Sequence, residues 1–170
     1  MQENKTGRGR ALPVYFALFL FGAIALLFIF TFISVTEGSG GVADEDLTSE
    51  TYMDVVSALL EIGNPENAPD LLNQRICNSC HLGGNIAPLF SELDEVAMDR
   101  RPPLTMSAYI YESVMYPQSF IVEGRQGNMP HLFTPPVLVD GELVPADGDS
   151  LDDLQALADI LSYLVSGEAE

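Results

Sequence analysis

Cysteine and histidine are scarce in this 170-residue chain: two thiols, Cys77 and Cys80, and two imidazoles, His81 and His131. A lone Cys-x-x-Cys needs two further Cys or His ligands to form a zinc site, and besides His81 the chain offers only His131. A thioredoxin-like dithiol would sit near a βαβ pattern, and none is visible. Basic residues are few as well, seven against 25 acidic ones, for a formal charge of −18. No basic stripe exists, and such a surface repels phosphate, so nucleic acid is excluded as a partner. No internal repeat or low-complexity run appears.

Charge is missing altogether from Ala11 to Val35. As a helix those 25 residues would extend about 37 Å, enough for a bilayer core of about 30 Å. A cleaved signal peptide would have a shorter apolar region, about 7–15 residues, and a small-x-small cleavage site; Val35-Thr36-Glu37 is a poor one. Lys5, Arg8 and Arg10 precede the run and predict a cytoplasmic N-terminus. From Glu37 onward 24 acidic residues face four arginines, Arg75, Arg100, Arg101 and Arg125, a difference of −20. That surface favours a basic partner, and it serves colloidal stability equally well.

What is present is concentrated in Cys77-Asn78-Ser79-Cys80-His81. Two thiols three positions apart, followed at once by an imidazole, read as a c-type haem attachment site. Each thiol would become a thioether to the haem, and His81 would ligate the iron. Both cysteines are then consumed, and no disulfide remains to argue redox compartment. Downstream, Gly127-Asn128-Met129-Pro130 is a Gly-Pro loop whose backbone can approach a flat ligand. Met53, Met98, Met106 and Met115 lie in or beside helical patterns, where methionine is usually core filler. His131 is the runner-up for the same position.

With these residues the chain resembles the class I, single-haem c-type cytochromes over roughly Ala68 to Leu164. The resemblance implies Met129 as distal ligand. It implies that the Pro88 carbonyl, at the end of Leu82-Gly83-Gly84-Asn85-Ile86-Ala87-Pro88, accepts the other imidazole N–H of His81; a plain surface turn is the competing view. Ala68 stands near the family's usual glycine at a helix crossing, with Leu71 and Leu72 in place of its aromatic. Tyr111 to Gly124 is similar to a segment before the distal Met in cytochrome domains of respiratory complexes. The overall plan resembles the single-haem subunit of alternative complex III, a quinol-oxidising assembly.

Elsewhere the pattern is local. Tyr52, Val55, Val56, Leu59 and Leu60 predict a helix capped by Thr48 or Ser49 and ended by Gly63 and Pro65. Leu104, Ala108, Tyr111 and Met115 predict another, ended by Pro117. Val137 to Val144 is apolar on both sides of Asp140-Gly141, a two-residue hairpin signal. Ser150 with Asp153 forms a capping box for a last helix, whose buried stripe is Leu151, Leu154, Leu157, Leu161 and Leu164.

The expected architecture is therefore an all-α class I cytochrome c domain on an N-terminal single transmembrane helix, with a small β-hairpin insertion at about 137–144. Residues 1–10 form a cytoplasmic N-terminus, 11–35 the membrane helix, 36–46 a flexible linker, 47–67 an extra helix and 68–170 the haem domain. The cofactor is one covalent haem c, bound by Cys77, Cys80, His81, Pro88 and Met129, with His81 and Met129 on the metal. The expected function is one-electron transfer as a membrane-anchored subunit of a quinol-oxidising complex, not catalytic by itself. Expected partners are the other subunits, a basic or periplasmic electron acceptor and the lipid bilayer, with the haem domain on the outer side. A free membrane-tethered shuttle is the alternative, and a haem sensor or catalytic domain with a labile distal ligand is the next. Phe120, Phe133 and Tyr116 are core candidates first and haem contacts second, and Arg125 is a candidate partner for a haem propionate or a solvent-exposed cation.

Overall fold

The computed structural model describes residues 12–37, 41–83, 86–124, 129–146 and 150–167. They fall into two compact units, Met1–Ser39 and Gly40–Glu170.

The first unit holds α1 (Leu12–Glu37). Among the described residues no helix is long and apolar enough to cross a membrane. The membrane-crossing helix expected over 11–35 is corrected accordingly: α1 is an apolar helix, and no span is found among the described residues. Its large apolar side chains, among them Phe19, Phe21 and Phe28, are 51–75% exposed.

The second unit is mostly helical with one two-stranded antiparallel sheet: α2 (Met53–Ile62), α3 (Ala68–Gln74), α4 (Asn78–His81), α5 (Leu93–Arg100), α6 (Met106–Met115), β1 (Val137–Val139), β2 (Glu142–Val144) and α7 (Leu151–Ser166). Asp140 and Gly141 turn between β1 and β2 at φ 54° and 85°, the left-handed pair that a type I′ hairpin requires. The strands pair Val137 with Val144 and Val139 with Glu142.

α7 is the helix on which the others pack: α2, α3 and α6 all meet it. Ser150 Oγ accepts the Asp153 N–H at 3.1 Å and the Asp153 carboxylate accepts the Ser150 N–H at 3.2 Å, satisfying two donors left open at the helix start. Leu154, Leu157, Leu161 and Leu164 are buried, each stabilising the fold by about 1.5–3 kcal/mol. Leu151, at the first helical position, lies off the packed face and is 72% exposed. Asp159 is buried on the same helix and accepts from the Asn64 N–H at 2.7 Å, the Asn67 amide at 2.9 Å and the Gln155 amide at 2.8 Å. It thereby holds the turn between α2 and α3.

Of the described glycines, Gly63, just after α2, is the most tightly enclosed. A Cβ there would lie 2.3 Å from the Ala158 carbonyl oxygen and 2.1 Å from Ser162 Oγ. Gly63→Ala is therefore expected to cost about 1–3 kcal/mol through overpacking, seen as a lower denaturant midpoint at unchanged slope.

α2 starts later than the Thr48 or Ser49 cap predicts. Thr48 instead receives and makes turn bonds with Thr51, and Tyr52 precedes the helix at φ 67°. The Tyr52 phenol explains that backbone. It donates to Glu112 Oε1 at 3.0 Å and accepts from the Val42 N–H at 2.8 Å.

Glu112 belongs to a buried cluster. Arg101 Nη1 donates to Glu112 Oε2 at 2.5 Å and to Ser119 at 3.3 Å, while Nη2 donates to the Val42 carbonyl at 3.2 Å and to Asp44 at 2.6 Å. Arg101 and Glu112 are 4% and 1% exposed. Residues 41–46, read from sequence as part of a linker, are thus held at their described end by a buried guanidinium.

α3 ends in a Schellman motif. The Cys77 N–H donates to the Leu72 carbonyl at 2.9 Å and the Ile76 N–H to the Asn73 carbonyl at 3.1 Å. Glycine is usual at the position Ile76 occupies. Ile76 takes it at φ 56°, where a β-branched side chain costs roughly 1–2 kcal/mol.

Candidate functional site

The Cys-x-x-Cys-His stretch is one helical turn. Cys77 precedes α4, and its carbonyl accepts the Cys80 and His81 N–H groups at 3.2 and 3.1 Å. A spacing of three therefore brings both thiols to one side. Both are free, and burial pushes the Cys77 thiol up.

Both face a cavity of about 640 Å³, within the roughly 300–1,000 Å³ typical of cofactor sites. His81, Pro88 and Met129 line the same cavity. His81 Nδ1 lies 2.9 Å from the Pro88 carbonyl oxygen. A carbonyl only accepts, so Nδ1 carries the proton and the Nε2 lone pair is free. Burial lowers the His81 pKa, with the Pro88 carbonyl opposing, which keeps the ring neutral near pH 7. Phe90 stacks on the imidazole at 4.7 Å and 8°, fixing its plane.

Among the described methionines, Met129 is the one on the cavity wall. Met115 is buried in the core and Met98 is 62% exposed, while Met53 accepts a bond from the Thr105 hydroxyl. His131 is exposed and off the lining. Arg125, Gly127 and Asn128 lie outside the described residues, as do Gly84 and Asn85.

Of the three aromatic candidates, Phe120 and Phe133 line the cavity, whereas Tyr116 stacks on Tyr52 at 5.9 Å. Sequence reasoning missed Phe90 and Tyr109, which also line it. It missed Arg75 and Arg100 on the wall too. In so acidic a domain the scarcity of cations was the available signal, and Arg75 and Arg101 each hold a carboxylate.

Arg75 is placed by two contacts. Its Nη2 donates to Asp153, and its guanidinium lies 5.0 Å from the Phe133 ring centroid. Hydrogen bonds from Arg75 and Ser150 hold the Asp153 carboxyl at about 2, below its usual 3.8. A depressed carboxylate pKa favours the fold above the unfolded value and loses that effect as pH falls through the folded one. Wild type should therefore lose stability between about pH 4 and 2 more steeply than Asp153→Asn, read from denaturant midpoints across that range.

Two thiols, one neutral imidazole, one thioether and two guanidiniums around an apolar cavity suit a flat apolar ligand that carries a metal and carboxylates, which is the chemistry of haem. Among the described residues no group of three or more His, Cys, Asp or Glu could hold a bare metal ion. An iron already held by four porphyrin nitrogens needs only two axial donors. Comparison with protein families, characterised proteins and solved structures returns no match for this chain.

Proposed function

We propose that this chain is a one-electron carrier that holds a single haem c through thioethers at Cys77 and Cys80, with His81 and Met129 as axial ligands. The observation that carries the reading is the convergence of those four side chains on one cavity. When bound, the haem supplies a one-electron couple at its iron.

The chain's own residues do the rest. The Pro88 carbonyl fixes the His81 tautomer and raises its basicity, leaving Nε2 to donate. Met129 offers a soft thioether, which suits iron(II) and raises the potential. With His81 and Met129 both holding the iron, no position would be left for a substrate, which favours electron transfer over catalysis. Arg75 and Arg100 offer planar donors for propionates. The apolar lining keeps water from the site, and a buried, covalently fixed group changes little on gaining an electron.

The acidic surface suits a basic acceptor on the outer side of a membrane, or a basic patch on a neighbouring subunit. The exposed apolar side chains of α1 need cover, from lipid or from other subunits of a redox complex such as a quinol-oxidising assembly.

The test is expression in a host with thioether-forming haem attachment. Haem that stays with the polypeptide through denaturing electrophoresis, and is lost in Cys77→Ala/Cys80→Ala, is the expected result. A wild-type chain without covalent haem sinks the proposal.

A further inference from the structure

Ile76 is out of place by every local criterion. It occupies the left-handed position of a Schellman motif at φ 56°, where glycine is free of strain and asparagine is tolerated. A β-branched residue there is an outlier. Its side chain is also 60% exposed, so packing among the described residues does not compensate. Both penalties would vanish with glycine.

The side chain nevertheless lines the cavity, as do Ile86 and Ile121, which are 62% and 46% exposed. Three exposed isoleucines lining one cavity form an apolar border that nothing among the described residues covers. Ile76 directly precedes Cys77, so it stands beside the first thiol.

We propose that Ile76 is a shielding residue for the bound haem, held in a strained backbone so that its branched side chain covers the cofactor's edge beside the Cys77 thioether and excludes water there. This rests on the haem reading above. A dry edge disfavours the more highly charged oxidised form and raises the potential. It also slows entry of external ligands. Glycine would relax the backbone and open that edge.

The experiment uses the full chain with haem attached and compares wild type with Ile76→Gly and Ile76→Leu. For Ile76→Gly the expected results are full covalent haem, a lower midpoint potential, and cyanide binding to the oxidised form faster by about tenfold, equivalent to about 1.4 kcal/mol of lost shielding. Ile76→Leu restores the apolar bulk and should return both readouts most of the way to wild type. If Ile76→Gly raises the unfolding midpoint while potential and cyanide rate stay at wild-type values, the strain is merely tolerated and the shielding role is overturned. Absence of covalent haem in wild type overturns the haem reading and this one together; covalent haem with unmoved readouts overturns this one alone.

Discussion

Met129→Ala is expected to leave the haem covalently attached while lowering its midpoint potential by on the order of a few tenths of a volt, part of the roughly 0.8 V range that axial ligands command. The thioethers at Cys77 and Cys80 do not depend on the sixth ligand, so attachment and potential should separate. With the thioether gone, the oxidised form should bind added imidazole or cyanide readily. Neither His131 nor another described methionine lines the cavity, so neither is poised to replace Met129. Potentiometry on the purified variant decides it. An unchanged potential, with the methionine–iron charge-transfer band retained, would show that a different residue ligates the iron.

Arg101→Met should be the most destabilising single change outside the site, by about 3–5 kcal/mol at neutral pH, because it leaves Glu112 buried without its cation. Burial already pushes the Glu112 carboxyl up, against the pull of Tyr52 and Arg101, and loss of Arg101 raises it further. An acid whose pKa is higher folded than unfolded favours folding at low pH, and loses that contribution as pH rises through the folded value. The variant should therefore recover stability on acidification, and Arg101→Met/Glu112→Gln should recover most of it at pH 7. Denaturant unfolding of the single and double variants separates the pair term from the rest. An additive double variant would mean that the two groups are not coupled. Asp44, 83% exposed, should contribute little by comparison, since solvent screens it.

The sequence was most legible where the determinants are local. Ser150 and Asp153, three apart, announce the start of α7, and Asp140-Gly141 announces the hairpin. The stripe Leu104, Ala108, Tyr111 and Met115 is buried throughout. Cys77, Cys80, His81 and Pro88 lie within twelve positions, so one turn and one loop suffice to gather them. What escaped depends on residues far apart. Arg101 finds Val42 and Asp44 across nearly sixty positions, and no periodicity encodes that pairing. Tyr52 leaves the helix because its phenol has a partner in α6. Phe90 and Tyr109 reach the cavity only once α5 and α6 have folded around it. The apolar run at 11–35 shows the opposite error, where run length and flanking charge supported a membrane span and no helix among the described residues is long and apolar enough for one.

The position of α7 also sets an order of events during biogenesis. It is the last helix of the described chain, yet α2 and α3, made first, pack on it, and the Asn64–Asp159 bond joins residues 95 apart. Ile160 and Leu164, both from α7, complete the cavity wall. A chain still being synthesised therefore presents its two thiols before their enclosure can exist. On the haem reading, the machinery that forms the thioethers meets an unclosed site with room for a bulky macrocycle, and the docking of α7 then acts as a latch that drops after loading.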